Sequence, residues 1–167
     1  IFLRDLSCAK YDSGLAFVVL MFTSILLTDV GAYYIGTKFG KHKLAPVISP
    51  NKTIEGSLGG MFFAVLGALV IWIYLKALLL IDIHWYVAVC AGLISTIFAQ
   101  IGDLCESLIR RDAGVKDSGN SLPGHGGFLD RTDSFILTIP IMYYFCKCFV
   151  FQTEWIHTLS NFVKGLF

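Results

Sequence analysis

Acidic side chains spaced to share a cation, and basic side chains spaced to meet phosphate, crowd into two stretches of an otherwise apolar chain. The stretch from Ser107 to Asp133 reads SLIRRDAGVKDSGNSLPGHGGFLDRTD. Asp130 and Asp133 stand three apart, which at a helix start places them on one face, near free N–H groups and the positive dipole end. Two carboxylates about 4 Å apart repel by roughly 4 kcal/mol at an effective dielectric of about 20. Such a cluster needs a shared proton or a cation. Oxygen ligands suit Mg²⁺, which keeps waters and bridges to substrate phosphates. Asp103 and Asp130 are therefore expected to hold a metal, with Asp133 close enough to ligate or orient. Gly124, Gly126 and Gly127 let the backbone approach a ligand closely, and His125 among them is a candidate phosphate contact or proton shuttle. A glycine-rich turn or a lone histidine says little by itself; the conjunction with D-R-x-D and Lys116–Asp117 says more.

The second stretch, SPNKTIEGSLGG, runs from Ser49 to Gly60. Helix capping accounts for Ser49 and Asn51 as caps, Pro50 at the entry and Glu55 in a first turn. It does not account for Lys52, a cation at the unfavourable positive end of a helix. An anionic ligand does, with Thr53 and the free N–H groups as further donors.

The elements that must position these residues are membrane helices. The chain is 56% hydrophobic, against about 45–50% for soluble domains. A spanning helix needs about 20 apolar residues, and four stretches qualify, near 15–37, 56–80, 85–110 and 134–151. They are continuously apolar rather than alternating, which argues against a lipid-exposed barrel. The expected fold is all-α: a polytopic integral membrane protein of about four transmembrane helices around a cytoplasm-facing polar cavity. Residues 1–167 read as one membrane-embedded region, the C-terminal part of a longer chain, since numbering begins at Ile1 and no signal peptide is visible. Lys38, Lys41, Lys43 and Lys52 follow span one, and Arg110, Arg111, Lys116 and Arg131 follow span three. By the positive-inside rule both loops are cytoplasmic. The five cysteines read as small buried hydrophobes, and the scattered histidines give no zinc pattern.

Asp29, Asp103 and Glu106 fall inside or beside spans, where an aspartate at a helix centre costs about 2.5–3.5 kcal/mol on insertion scales. Thr96, Gln100, Asp103, Ser107 and Arg110 share one helix face, as one wall of a water-filled cavity would. Asp103 paired with Arg110 or Arg111, and Asp29 as a helix-end polar residue, are the structural alternatives. Two functions fit these residues: an enzyme handling phosphates at a membrane face, and a transporter with Asp29 and Asp103 as an ion relay. The transporter lacks an inverted repeat and paired broken helices.

At these residues the chain resembles the phosphatidate cytidylyltransferases, or CDP-diacylglycerol synthases. Their signature S-x-x-K-R, K-D, P-x-H-G-G-x-x-D-R-x-D is matched by Ser107, Arg110, Arg111, Lys116, Asp117, Pro123, His125, Gly126, Gly127, Asp130, Arg131 and Asp133. Arg110 replaces the usual lysine, a planar fork for a point charge. The element S-P-x-K-T-x-E-G is matched by Ser49, Pro50, Lys52, Thr53, Glu55 and Gly56, and Q-x-G-D-x-x-E-S by Gln100, Gly102, Asp103, Glu106 and Ser107. The D-G-x-x-A-R pattern of the CDP-alcohol phosphotransferases is missing. The resemblance covers about residues 23 to 135. It implies the reaction of CTP with phosphatidate to give CDP-diacylglycerol and pyrophosphate, in phospholipid biosynthesis. It implies Mg²⁺, with K⁺ as a second cation, and metal-binding aspartates at Asp103 and Asp130. Asp103, Asp130, Lys52, Arg111 and Lys116 are then the expected catalytic residues. Ser49, Asn51, Thr53, Ser107, Arg110, Asp117, His125, Gly126, Gly127 and Arg131 join them in substrate binding. A homodimer in a bacterial inner membrane is expected, with no nucleic-acid partner.

Overall fold

The computed structural model describes residues 13–78, 84–115 and 129–150, with the backbone alone at 13, 129–131, 149 and 150. Four α-helices carry it: α1 (Ser13–Phe39), α2 (Ile54–Ala77), α3 (Trp85–Asp112) and α4 (Leu129–Phe145), the last continuing into a π-helical stretch, Cys146–Val150. Gly14–Phe39, Ile54–Ala77 and Trp85–Asp112 are long and apolar enough to cross a membrane. The fourth expected span is shorter as an α-helix. Its 17 residues rise roughly 26 Å at about 1.5 Å each, against a hydrocarbon core of about 30 Å.

Unlike a water-soluble bundle, this one turns large apolar side chains outward as well as inward. Leu26, Phe62 and Val70 face outward at 59%, 62% and 63% exposure, while Ser24, Thr28, Ser95, Thr96 and Thr138 are buried at 1% or less. Lipid gives no reward for hiding leucine between helices, so close backbone contact and internal hydrogen bonds hold the bundle instead. Three of the buried hydroxyls donate within their own helices, while Ser95 Oγ reaches Met142 Sδ of α4 at 3.9 Å. Ser24 Oγ donates to Leu20 O at 2.8 Å, Thr28 Oγ1 to Ser24 O at 2.7 Å and Thr138 Oγ1 to Ser134 O at 2.6 Å. Thr28 and Thr96 also meet across α1 and α3 at 2.6 Å. A hydroxyl has one proton, and that of Thr28 goes to Ser24, so Thr96 is the donor in this pair.

Small residues set the helix spacing. Gly56, Gly60, Ala64 and Ala68 form a buried ladder four apart along α2. A Cβ on Gly60 would stand 2.6 Å from the Thr28 carbonyl oxygen of α1, and one on Gly92 of α3 would stand 2.9 Å from Ala68 Cβ. The apolar core, with Phe17, Leu20, Met21, Ile25 and Met142, fills one half of the bundle; the hydroxyls mark the transition to the polar end.

That polar end holds a departure from the all-helical expectation. Residues 43–53 form a small antiparallel hairpin, β1 (Lys43–Ala45) and β2 (Ser49–Thr53), with Lys43 opposite Thr53 and Ala45 opposite Ser49. A two-stranded ribbon is all edge, which is where a strand tolerates the missing N–H of Pro50. Ser49 and Asn51 therefore lie in a strand and do not cap α2. The cap is Thr53, extended at φ −121° and ψ 152°, whose hydroxyl accepts from Gly56 N at 3.2 Å.

Candidate active site

The hairpin folds back over the bundle and delivers β2 to the polar face of α3. Lys52, which capping does not explain, forms an ion pair with Asp103. Asp103 is thus not paired with Arg110 or Arg111. Arg110 Nε instead lies 3.6 Å from Glu106 Oε1 one turn away on α3, and Arg111 Nε donates to Ile48 O of the hairpin turn at 3.3 Å. The α1–α2 connection and the end of α3 accordingly share one end of the bundle, as the serpentine count requires.

Beneath Lys52 lies a cavity of about 300 Å³, walled by Thr28, Asp29, Ala32 and Tyr33 of α1, Leu44, Ser49, Asn51, Lys52 and Thr53 of the hairpin, Gly56 and Ser57 of α2, and Gln100 and Asp103 of α3. Four of the expected hairpin residues and one of the expected metal ligands therefore meet at one site. Two bonds between Ser57 and Gln100, one of them to the Ser57 backbone carbonyl, join its walls. Ser57 Oγ donates to Gln100 Oε1, and Gln100 Nε2 donates to Ser57 O at 3.2 Å. That reciprocal pair locks the first turns of α2 to α3 one helical turn before Asp103.

Asp29 lies ten residues before the end of α1, about 15 Å along the axis. It is a cavity residue and not a helix-end one. The charges of Asp103, Asp133 and Lys52 all act on it. Asp133 arrives with α4: a Cβ on Gly102 would lie 2.7 Å from the Asp133 carbonyl oxygen, so only a glycine lets the first turn of α4 come this close to Asp103. Asp130 and Arg131 belong to the same turn by their backbone. Lys116, Asp117, His125, Gly126 and Gly127 lie outside the described residues. Ser107 sits one turn past Asp103, beyond the cavity wall.

Among the described residues no three acidic, histidine or cysteine side chains gather as a metal site, and the side chain of Asp130 is not among them. The donor chemistry nonetheless fits a hard cation. Asp29 and Asp103 share the cavity, Asp133 is an electrostatic neighbour, and all are oxygen donors of the kind Mg²⁺ takes. A carboxylate offers two oxygens and about four lone-pair sites. Asp103 meets Lys52 through Oδ2 and can serve a cation as well.

Residue type alone does not mark Thr28, Ala32, Tyr33, Leu44 or Ser57 as cavity residues. Thr28, Asp29, Ala32 and Tyr33 follow helical one-face spacing, which was a usable signal. The roles of Ser57 and Leu44 depend on the hairpin fold and left no signal in spacing.

A bundle of long apolar helices carries at one end a cavity lined by lysine, hydroxyls and carboxylates, the arrangement of a helical membrane protein with a polar site. The chain matches the cytidylyltransferase family over residues 2–149 and belongs to it. It is similar to proteins named phosphatidate cytidylyltransferase: 48% identical over 133 residues to that of Staphylococcus aureus strain COL, and 46% identical over 133 and 131 residues to those of Staphylococcus epidermidis and Staphylococcus saprophyticus. Each match covers 78% of this chain and 49% of the relative. The chain thus spans about half the length of the curated relatives it matches.

Proposed function

We propose that the intact protein is a CTP:phosphatidate cytidylyltransferase, forming CDP-diacylglycerol and pyrophosphate. The observation that carries this is the Lys52–Asp103 contact at the mouth of a hydroxyl-lined cavity, in a chain of the cytidylyltransferase family. A phosphatidate phosphate oxygen attacks the α-phosphorus of CTP in line. A new P–O bond forms, the α–β bridging P–O bond breaks, and pyrophosphate leaves with the electron pair. The nucleophile is already anionic, so no serine or cysteine ester is required. Positioning and charge neutralisation supply the catalysis.

Lys52, Arg111 and Lys116 neutralise the triphosphate as its charge redistributes. Ser49, Asn51 and Thr53 offer donors from the hairpin; Ser107, Arg110, Asp117, His125, Gly126, Gly127 and Arg131 complete substrate binding from α3 and the segment before α4. Asp103 and Asp130 would hold Mg²⁺, with Asp133 ligating or orienting it, and K⁺ would serve as a second cation. Bound there, the metal would screen phosphate oxygens and favour departure of pyrophosphate. The π-helical extension makes α4 long enough for a fourth crossing, both polar connections face the cytoplasm, and the protein works as a homodimer in a bacterial inner membrane.

The test is to incubate the intact protein in lipid with labelled CTP and phosphatidate. Label entering a lipid nucleotide, with Mg²⁺-dependent pyrophosphate release, is the expected result. A transporter makes no lipid nucleotide, and that outcome would remove the proposal.

A further inference from the structure

Glu55 touches no part of the cavity, yet it is the most heavily bonded carboxylate among the described residues. Its two oxygens accept the backbone N–H of Lys41 at 3.2 Å and that of His42 at 3.2 Å, and Oε1 lies 2.7 Å from His42 Nδ1. The opposite bond closes the same loop, since Ile54 N donates to His42 O at 3.0 Å. Residues 41–42 and 54–55 are therefore stitched together just below the pairing of Lys43 with Thr53.

We infer that Glu55, with His42, is a positioning clasp that closes the base of the β1–β2 hairpin and so aims Lys52 at Asp103. A two-stranded ribbon is marginally stable alone, and this one is short and irregular between Lys43 and Ala45. Its open end is tied by Arg111 to Ile48 and its base by Glu55. Lys52 lies three residues from Glu55, on the strand between these two ties. Releasing the base frees the strand that carries Lys52, while Asp103 stays fixed on α3. The consequence falls on binding of the triphosphate and not on attack by the lipid phosphate.

This inference rests on the proposed activity for its kinetic arm, so its structural arm is read separately. The intact protein in lipid nanodiscs is compared with Glu55→Ala and Glu55→Gln. In Glu55→Ala the amides of Lys41 and His42 lose their acceptor, and their hydrogen exchange accelerates about tenfold or more, the worth of one charge-assisted hydrogen bond. The Michaelis constant for CTP rises about tenfold, that for phosphatidate is unchanged, and kcat stays within about twofold. Glu55→Gln keeps one carbonyl oxygen as acceptor and recovers most of both effects. Unchanged exchange at Lys41 and His42 in Glu55→Ala overturns the clasp whatever the enzyme does. Faster exchange with an unchanged Michaelis constant for CTP overturns its role in aiming Lys52. Absence of turnover in the unaltered protein is a failure of the proposed function, and the exchange comparison still decides the clasp.

Discussion

Lys52 and Asp103 lie 51 positions apart in the chain and meet as an ion pair where β2 crosses the polar face of α3. Each is only partly exposed, 28% for either side chain, so the pair is neither fully screened by water nor sealed in lipid. Removing one partner from such a pair leaves the other charge without its counter-ion at a site only partly open to water. Asp103→Asn is expected to lower CTP-dependent product by about 10³-fold or more, because the position pairs with Lys52 and, in the proposed mechanism, would also hold the metal. The protein should still insert and fold. Near-normal turnover of folded Asp103→Asn in nanodiscs, and likewise of Asp130→Asn, would refute the assignment of the metal.

Lys52→Ala separates binding from chemistry. The ammonium is a point charge on a flexible stem, suited to following a triphosphate as its charge shifts. Its loss should raise the Michaelis constant for CTP by about tenfold or more, with a smaller effect on that for phosphatidate. Steady-state kinetics with each substrate varied in turn settles it. Equal Michaelis constants in Lys52→Ala and the unaltered protein would show that the hairpin does not read the nucleotide.

The Ser57–Gln100 pair predicts strong coupling. Ser57 Oγ donates to Gln100 Oε1 and the Ser57 backbone carbonyl accepts from Gln100 Nε2, so Ser57→Ala removes the first bond and Gln100→Ala removes both. Ser57→Ala and Gln100→Ala should each destabilise the protein, by about 0.5–2 kcal/mol, and the double variant should cost little more than the worse single one. Reversible unfolding in mixed micelles measures the cycle. Additive losses would mean that the pair does not work as a unit.

The helices were legible in the sequence because lipid demands long apolar runs and internally satisfied backbones. Hence α1, α2 and α3 fall within a few residues of expectation. The stripe from Thr96 to Arg110 was legible in part: Gln100 and Asp103 line the cavity, whereas Thr96 is buried against Thr28 and Ser107 and Arg110 lie beyond the wall. The hairpin was not. Ser49, Pro50 and Asn51 carry the same residue types in a helix cap and in a short edge strand, and only tertiary ties choose between them. Those ties, Glu55 to Lys41 and His42 and Arg111 to Ile48, join residues 13, 14 and 63 positions apart. The partner of Asp103 was hidden for the same reason. Arg110 and Arg111 were near in sequence, whereas Lys52 becomes near only after the hairpin forms.

Gly102 provides the sharpest test of how the site is assembled. A methyl group there would lie 2.7 Å from the Asp133 carbonyl oxygen, a backbone atom that cannot turn aside. Gly102→Ala must therefore push the first turn of α4, with Asp130 and Asp133, away from Asp103. Gly92→Ala is the matched control: its methyl would stand 2.9 Å from Ala68 Cβ, and neither Gly92 nor Ala68 lines the cavity. Both substitutions overpack a helix interface, at about 1–3 kcal/mol each. Only Gly102→Ala should lower kcat by about 10²-fold, the scale of a misplaced catalytic group, and raise the Mg²⁺ concentration needed for half-maximal rate. Thermal unfolding and Mg²⁺ titrations of turnover on both variants distinguish the cases. If the two glycine variants lose stability and activity in parallel, the approach of α4 to α3 at Gly102 is packing alone, and the acidic turn of α4 is not built to complete a centre begun by Asp103.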